Sequence, residues 1–196
     1  MATYGLLDLH YAKIESEDQD STTYGEVKPI APAMDVGIQR TVNTANLRGD
    51  NTVKYTASSK APATITLNVT ELPKQVEADL LGKKIAENGL LIESDEDEAP
   101  YVAFGFKAND ARGGFKYIWL YRVKFNVGES TYATKQETPE FNNPTLTGTS
   151  IGRLHDGARE ASLWDGDESV TDQTIFDEWF NKVIDLDFPG DGGAEG

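Results

Sequence analysis

His10 and His155 are the two imidazoles in a chain of 196 residues that contains no cysteine. Proton transfer near neutral pH therefore has two candidate carriers. Thiolate nucleophiles, thiolate metal ligands and disulfides have none. His155 stands in RLHDGARE next to Asp156, and adjacent residues make a poor catalytic pair by themselves. A Ser/His/Asp arrangement would have to be assembled from separate loops. His10 lies inside the run GLLDLHYAKI and is expected to be an ordinary sheet residue. The acidic runs at 94–98 and 165–168 offer the oxygens that Ca²⁺ or Mg²⁺ prefers. Neither has the spaced-ligand loop with a central Gly and a terminal Glu, so both read as solvated loops. RGD at 48–50 spells an adhesion tripeptide, and NVT at Asn68 a glycosylation sequon; each is short enough to arise by chance. NDARGGFK lacks the glycine spacing and following helix of a phosphate-binding loop. No enzyme, metal site or cofactor is expected.

Composition narrows the remaining classes. The net charge is −15, from 33 acidic and 18 basic residues, with no Lys/Arg cluster. Such a chain repels phosphate backbones, which argues against sequence-specific binding of DNA or RNA. Its longest apolar run is too short to span a bilayer, and MATYGLLDLHYAKIE lacks the basic-then-apolar layout of a signal peptide. The expectation is a protein made and assembled in a cytosol, with no membrane partner. At this length the core is large enough to need no covalent staple.

Any function then rests on the elements and the surfaces they present. The fold class expected is mostly β, with α+β character: a β-sandwich with one flanking short helix and a C-terminal amphipathic helix. In GLLDLHYAKI at 5–14 and MDVGIQRTV at 34–42 apolar residues alternate, with Met34, Val36, Ile38 and Val42 on one face. Ala63, Ile65, Leu67 and Val69 alternate with Thr64, Thr66, Asn68 and Thr70 in the cleanest strand of the chain. In ELPKQVEADLLG, Leu72, Val76 and Leu80 fall four apart, Pro73 suits a first helical turn and Gly82 the position after the last. NGLLIE reads as a brief strand after an Asn-Gly turn.

YVAFGFKANDARGGFKYIWLYRVKF at 101–125 reads as a hairpin turning at Gly113 and Gly114. Its second run places Phe115, Tyr117, Trp119, Tyr121, Val123 and Phe125 on one face. Lys116, Ile118, Leu120, Arg122 and Lys124 take the other, so the centre of this strand expects cover on both sides. The polar segments 15–25 and 47–62 read as long loops, and 154–170 as an acidic linker between a domain at 1–153 and a helix at 171–187. Residues 188–196 read as a frayed tail. On that helix Phe176, Trp179, Phe180 and Val183 are candidate docking residues, with the hairpin 101–125 as the receiving surface.

The order of these segments carries a resemblance. YGLLDLHYAKI, LPKQVEADLLG, ENGLLIESDEDEAPYVAFGF, KYIWLYRVKF, YATKQETPEFNNPTLTGT and a terminal FDEWFNKV together resemble the major tail proteins, or tail tube proteins, of long-tailed phages of Gram-positive bacteria, the phi13-like type. The resemblance runs across nearly the whole chain and is most specific over 72–149. It implies a non-catalytic structural virion protein that forms hexameric rings. The rings would stack into a tube around the tape-measure protein, bounded by tail terminator and distal tail proteins, with DNA only in transit. On that reading Arg48, Asp50, Lys54, Tyr55 and Lys60 are candidate contacts between rings. A carbohydrate-binding module, stacking sugars on Tyr117, Trp119 and Tyr121, is the alternative from a different class. The dense apolar setting of those aromatics speaks for a core instead.

Overall fold

The computed structural model describes residues 3–49, 52–127 and 143–184. The chain opens with β1 (Thr3–Glu17), β2 (Thr22–Tyr24) and β3 (Lys28–Pro29). β4 (Ala33–Gln39), β5 (Val42–Gly49), β6 (Thr52–Lys60) and β7 (Ala63–Val69) lead into helix α1 (Lys74–Leu81). β8 (Lys84–Ile85) and β9 (Leu91–Ile92) form a small hairpin before the long strands β10 (Tyr101–Asp110) and β11 (Phe115–Val127). β12 (Thr145–Ser150), β13 (Glu160–Trp164) and the short helix α2 (Thr174–Glu178) complete the described residues.

The main sheet runs β2-β1-β10-β11-β12-β7-β4, with β3 beside β1 and β13 beside β11, and its pairings are antiparallel. Leu9 and Tyr11 of β1 share one core with Ile65, Leu67 and Val69 of β7, four places along that order. Strands so far apart can share a core only if the sheet folds over itself, and β1 and β4 do approach each other. The result is the mostly β, sandwich-like fold expected from the alternating runs. α1 closes one side of this core with Val76, Leu80 and Leu81. It ends as its sequence requires: Gly82 adopts φ 75°, and its N–H returns to the carbonyl of Ala78.

Polar contacts fasten α1 to the sheet. Asp79, 5% exposed, accepts hydrogen bonds from Tyr11 Oη at 2.7 Å, Lys13 Nζ at 2.7 Å and Lys28 Nζ at 3.3 Å. Burial pushes its carboxyl up, but the bonds from Lys13, Tyr11 and Lys28 outweigh burial and hold it down at about 2. Burial first, and the Asp79 bond second, push the Tyr11 hydroxyl well above the usual tyrosine range.

β11 departs from simple alternation. Val102 of β10 pairs with Val123, but Phe104 pairs with Leu120, so β11 carries one extra residue at Tyr121–Arg122 opposite Ala103. The bulge reverses the facing of everything after it. Tyr117, Trp119 and Tyr121 point into a second cluster, whereas Val123 and Phe125 join Leu120 in the main core. The odd-numbered residues 115–125 therefore do not share one face. The same bulge divides the outer edge of β11: residues 116–120 pair with β13, and residues 123–127 pair with β12.

Several boundaries differ from the sequence expectation. The segment 47–62 is no loop but most of a β5–β6 hairpin, paired from Val42↔Lys60 to Gly49↔Thr52. Segment 15–25 contributes the end of β1 and all of β2. The run 34–42 breaks after Gln39, and a register shift at Met34 turns that side chain into solvent. The acidic stretch 154–170 contains β13, whose Ala161 and Leu163 pack against the second cluster. Helix α2 spans Thr174–Glu178 alone, and the chain then continues in turns. The tail 188–196 and the segment 128–142 lie outside the described residues.

Candidate assembly surfaces

Two surfaces stand out, one occupied by the chain itself and one bare. The occupied one is the second face of the β10–β11 hairpin. Trp119 and Tyr121 are buried there, with Tyr117 nearly so, beneath the segment 175–184. Trp119 Nε1 donates to the carbonyl oxygen of Trp179 at 2.9 Å, and Tyr121 Oη donates to that of Ile184 at 2.8 Å. The Tyr117 ring meets Phe176, Trp179 and Phe180 at 5.2, 5.6 and 6.2 Å between centroids. Phe180 also stacks on His10 at 4.4 Å. Phe176, Trp179, Phe180 and Val183 are thus all placed against this face of their own chain.

Room for the Trp119 ring comes from Gly105, directly across the strand pair, where a Cβ would lie 2.6 Å from the ring. Trp179 is 1% exposed, and its own Nε1 has no hydrogen-bond partner among the described residues. Trp119 and Tyr121 are covered, so these two rings offer no open face for stacking sugars.

The bare surface is the β5–β6 hairpin, an arm whose side chains at 42–46 and 54–60 are all exposed. Tyr55 is 72% exposed. An isolated two-stranded ribbon is marginal in water, so this one depends on its anchor or on a further partner. The anchor is at its base. Arg159 donates to the carbonyls of Lys60 at 2.9 Å and Ala61 at 2.5 Å, the Ala61 N–H returns to Thr41 O at 2.9 Å, and Arg40 pairs with Glu160. Both arginine contacts join the arm to β13 or the residue preceding it, in the stretch read from sequence as a linker. Lys54, Tyr55 and Lys60 lie on the arm, together with the backbone of Arg48, while Asp50 lies outside the described residues.

Residues with chemical potential are spent on structure. His155 Nδ1 lies 3.0 Å from Thr22 Oγ1, but its Nε2 is 3.6 Å from Asp156, beyond a hydrogen bond. Asp156 is instead committed to Arg153. GTSIG at 148–152 has the G-x-S-x-G spacing of a nucleophile elbow, a match the sequence reading missed. Ser150 ends β12, buried and paired between Val123 and Ala63, and a turn rather than a helix follows it. Asp165 accepts the Phe115 N–H at 2.8 Å, and Asp167 caps Ser169. Among the described residues no three His, Asp or Glu side chains are placed to hold a metal, and no helix is long and apolar enough to cross a membrane. Asn68, the sequon residue, bonds Asp35 and Thr145 on neighbouring strands.

No curated protein matches the chain. The sequence model of the family described as phage tail tube protein matches residues 38–185. That span takes in the arm, the main sheet from the end of β4 onward and the C-terminal layer on Trp119. The chain belongs to the phage tail tube protein family, and its role is that of a structural component of the virion tail.

Proposed function

We propose that this chain closes into homo-hexameric rings that assemble in the host cytoplasm and stack into a tube. The tube would enclose the tape-measure protein, end at the tail terminator and distal tail proteins, and conduct DNA at ejection. The observation that carries this reading is the β5–β6 arm, which is anchored at its base and has both faces in solvent. A surface of this kind is completed by another subunit. Sheet edges supply a further contact: β4 ends the main sheet, and the outer edge of β1 is paired from Leu9 to Tyr11 and at 14–17 but, among the described residues, not over Thr3–Asp8. A head-to-tail contact that closes by rotation gives a ring, and a second contact that does not close gives a filament. The large excess of acid disfavours adhesion of DNA to the wall as it passes.

Sedimentation across a salt series, with negative-stain imaging of the fractions, tests the reading. Subunits of charge −15 repel, and raising salt above the range where the Debye length is roughly 8 Å should promote assembly. Rings of six and tubes are expected. A monomer at every salt and protein concentration would falsify the proposal.

A further inference from the structure

Resting on that reading of the arm as an assembly device, we propose that its receiving surface is the β8–β9 hairpin of a second copy, with the acidic turn that follows it. The argument starts from charge. Residues 42–60 hold three basic residues and one acidic one, whereas the remainder of the chain holds 15 basic and 32 acidic. The arm is thus the cationic part of a strongly anionic protein. The ammonium groups of Lys54 and Lys60 have no ionic partner among the described residues. Exposed apolar side chains, Val42 and Tyr55, accompany them. A matching surface must offer uncovered apolar side chains beside unneutralised acid.

The β8–β9 hairpin offers both. Ile85, Leu90 and Ile92 are exposed on it. The turn Ser94–Asp97 follows directly, closed by the Asp97 N–H to Ser94 O bond at 3.0 Å. Within this acidic stretch Glu93 is paired with Lys83 and Glu98 with Lys124, while Asp95 and Glu96 are exposed and without an ionic partner among the described residues. The remaining exposed apolar side chains have weaker acidic company: beside Tyr4, Leu7 and Met34, Asp8 is bound to Lys107 and Asp35 to Asn68, and beside Leu154, Asp156 is paired with Arg153. Apolar contact supplies attraction that salt does not remove, and the Lys-to-acid pairing fixes which surface is met and in what orientation. Beyond the contacts at its base, the arm's side chains at 42–46 and 54–60 are exposed, so the contact is with a second copy.

Absence of native cysteine makes the test clean, because any disulfide must come from introduced residues. The full-length chain with Tyr55→Cys and Leu90→Cys, oxidised under assembly conditions, is expected to give a ladder of covalent multimers on a non-reducing gel. The pair Tyr55→Cys and Leu7→Cys is expected to give none. Charge reversal reads the same contact independently. Lys54→Glu with Lys60→Glu, or Asp95→Lys with Glu96→Lys, should each raise the concentration needed for assembly on the order of tenfold. The four changes together should restore it to within about threefold of the native value.

A ladder from the 55/7 pair overturns the assigned partner, as does assembly without any 55/90 ladder or charge reversals that fail to rescue each other. A chain with 43–59 replaced by a short turn separates this failure from that of the underlying reading. If it cannot assemble, the arm is needed and only its partner was wrong; if it forms normal tubes, the arm reading itself falls.

Discussion

Removing the Trp179 side chain tests whether the C-terminal layer is part of the folded body or an appendage resting on it. Trp179→Ala empties a buried site bordered by Tyr117 and Trp119. Truncation of a buried Trp costs about 3–5 kcal/mol, because the cavity left behind adds to the lost transfer energy. One term opposes this: the Trp179 Nε1 has no hydrogen-bond partner among the described residues, and an unpaired buried N–H costs about 1–3 kcal/mol. Trp179→Phe removes that unpaired donor while keeping most of the apolar ring. The phenylalanine variant should therefore lie within about 1 kcal/mol of the native protein, while the alanine variant, which removes the same donor but also the packed ring, falls at the low end of its range, about 3 kcal/mol.

For a domain of this size, each kcal/mol moves Tm by about 2–4 °C. Alanine should lower Tm by roughly 6–12 °C and phenylalanine by no more than about 4 °C. Far-UV circular dichroism is the suitable assay, since loss of a tryptophan perturbs fluorescence directly. An unchanged Tm for Trp179→Ala would refute the reasoning. Equal damage from both substitutions would refute the account of the unpaired N–H.

Gly105→Ala should cost about 1–3 kcal/mol, because the new Cβ would sit 2.6 Å from a Trp119 ring that is itself hydrogen-bonded to the C-terminal layer; a melting curve within 1 °C of native, to an order of magnitude, would show that the ring moves freely. The depressed Asp79 carboxyl adds stability that is fully present above the ordinary Asp pKa of 3.8 and is lost as pH falls toward about 2. That difference corresponds to about 2 kcal/mol, so Asp79→Asn should lower the urea midpoint at pH 7 and flatten its change between pH 5 and 2. If native and variant midpoints fall in parallel over that interval, other carboxylates govern acid unfolding.

Helix α1 and the β10–β11 hairpin were legible because one-sided burial writes itself into sequence. Val76 and Leu80 recur at helical spacing between Pro73 and Gly82, and the large apolar runs flank a turn with two glycines. The arm reads as a loop for the complementary reason. Neither of its faces meets a core within the chain, so polar and small residues occupy both, and the alternation that marks a strand never develops. β13 is five residues long and surrounded by acid, with Ala161 and Leu163 as its buried pair; two side chains are too few to establish a period. The aromatic stripe at 175–184 was visible as apolar material needing cover. Its helical extent was overstated because most of the contacting residues lie in the turns after Glu178. The bulge at Tyr121–Arg122 left no trace, since the residues on both sides of it are apolar at odd positions.

That bulge also limits how this part of the chain can change over time. Losing or gaining one residue anywhere between Leu120 and Val123 would turn Val123 and Phe125 out of the core, or bring the charged Lys124 into it. Substitutions can accumulate here one at a time, but length cannot drift by single steps. In an alignment of relatives, gaps at this place should be either absent or two residues long, with an unpaired single gap marking a chain whose second cluster has been rebuilt.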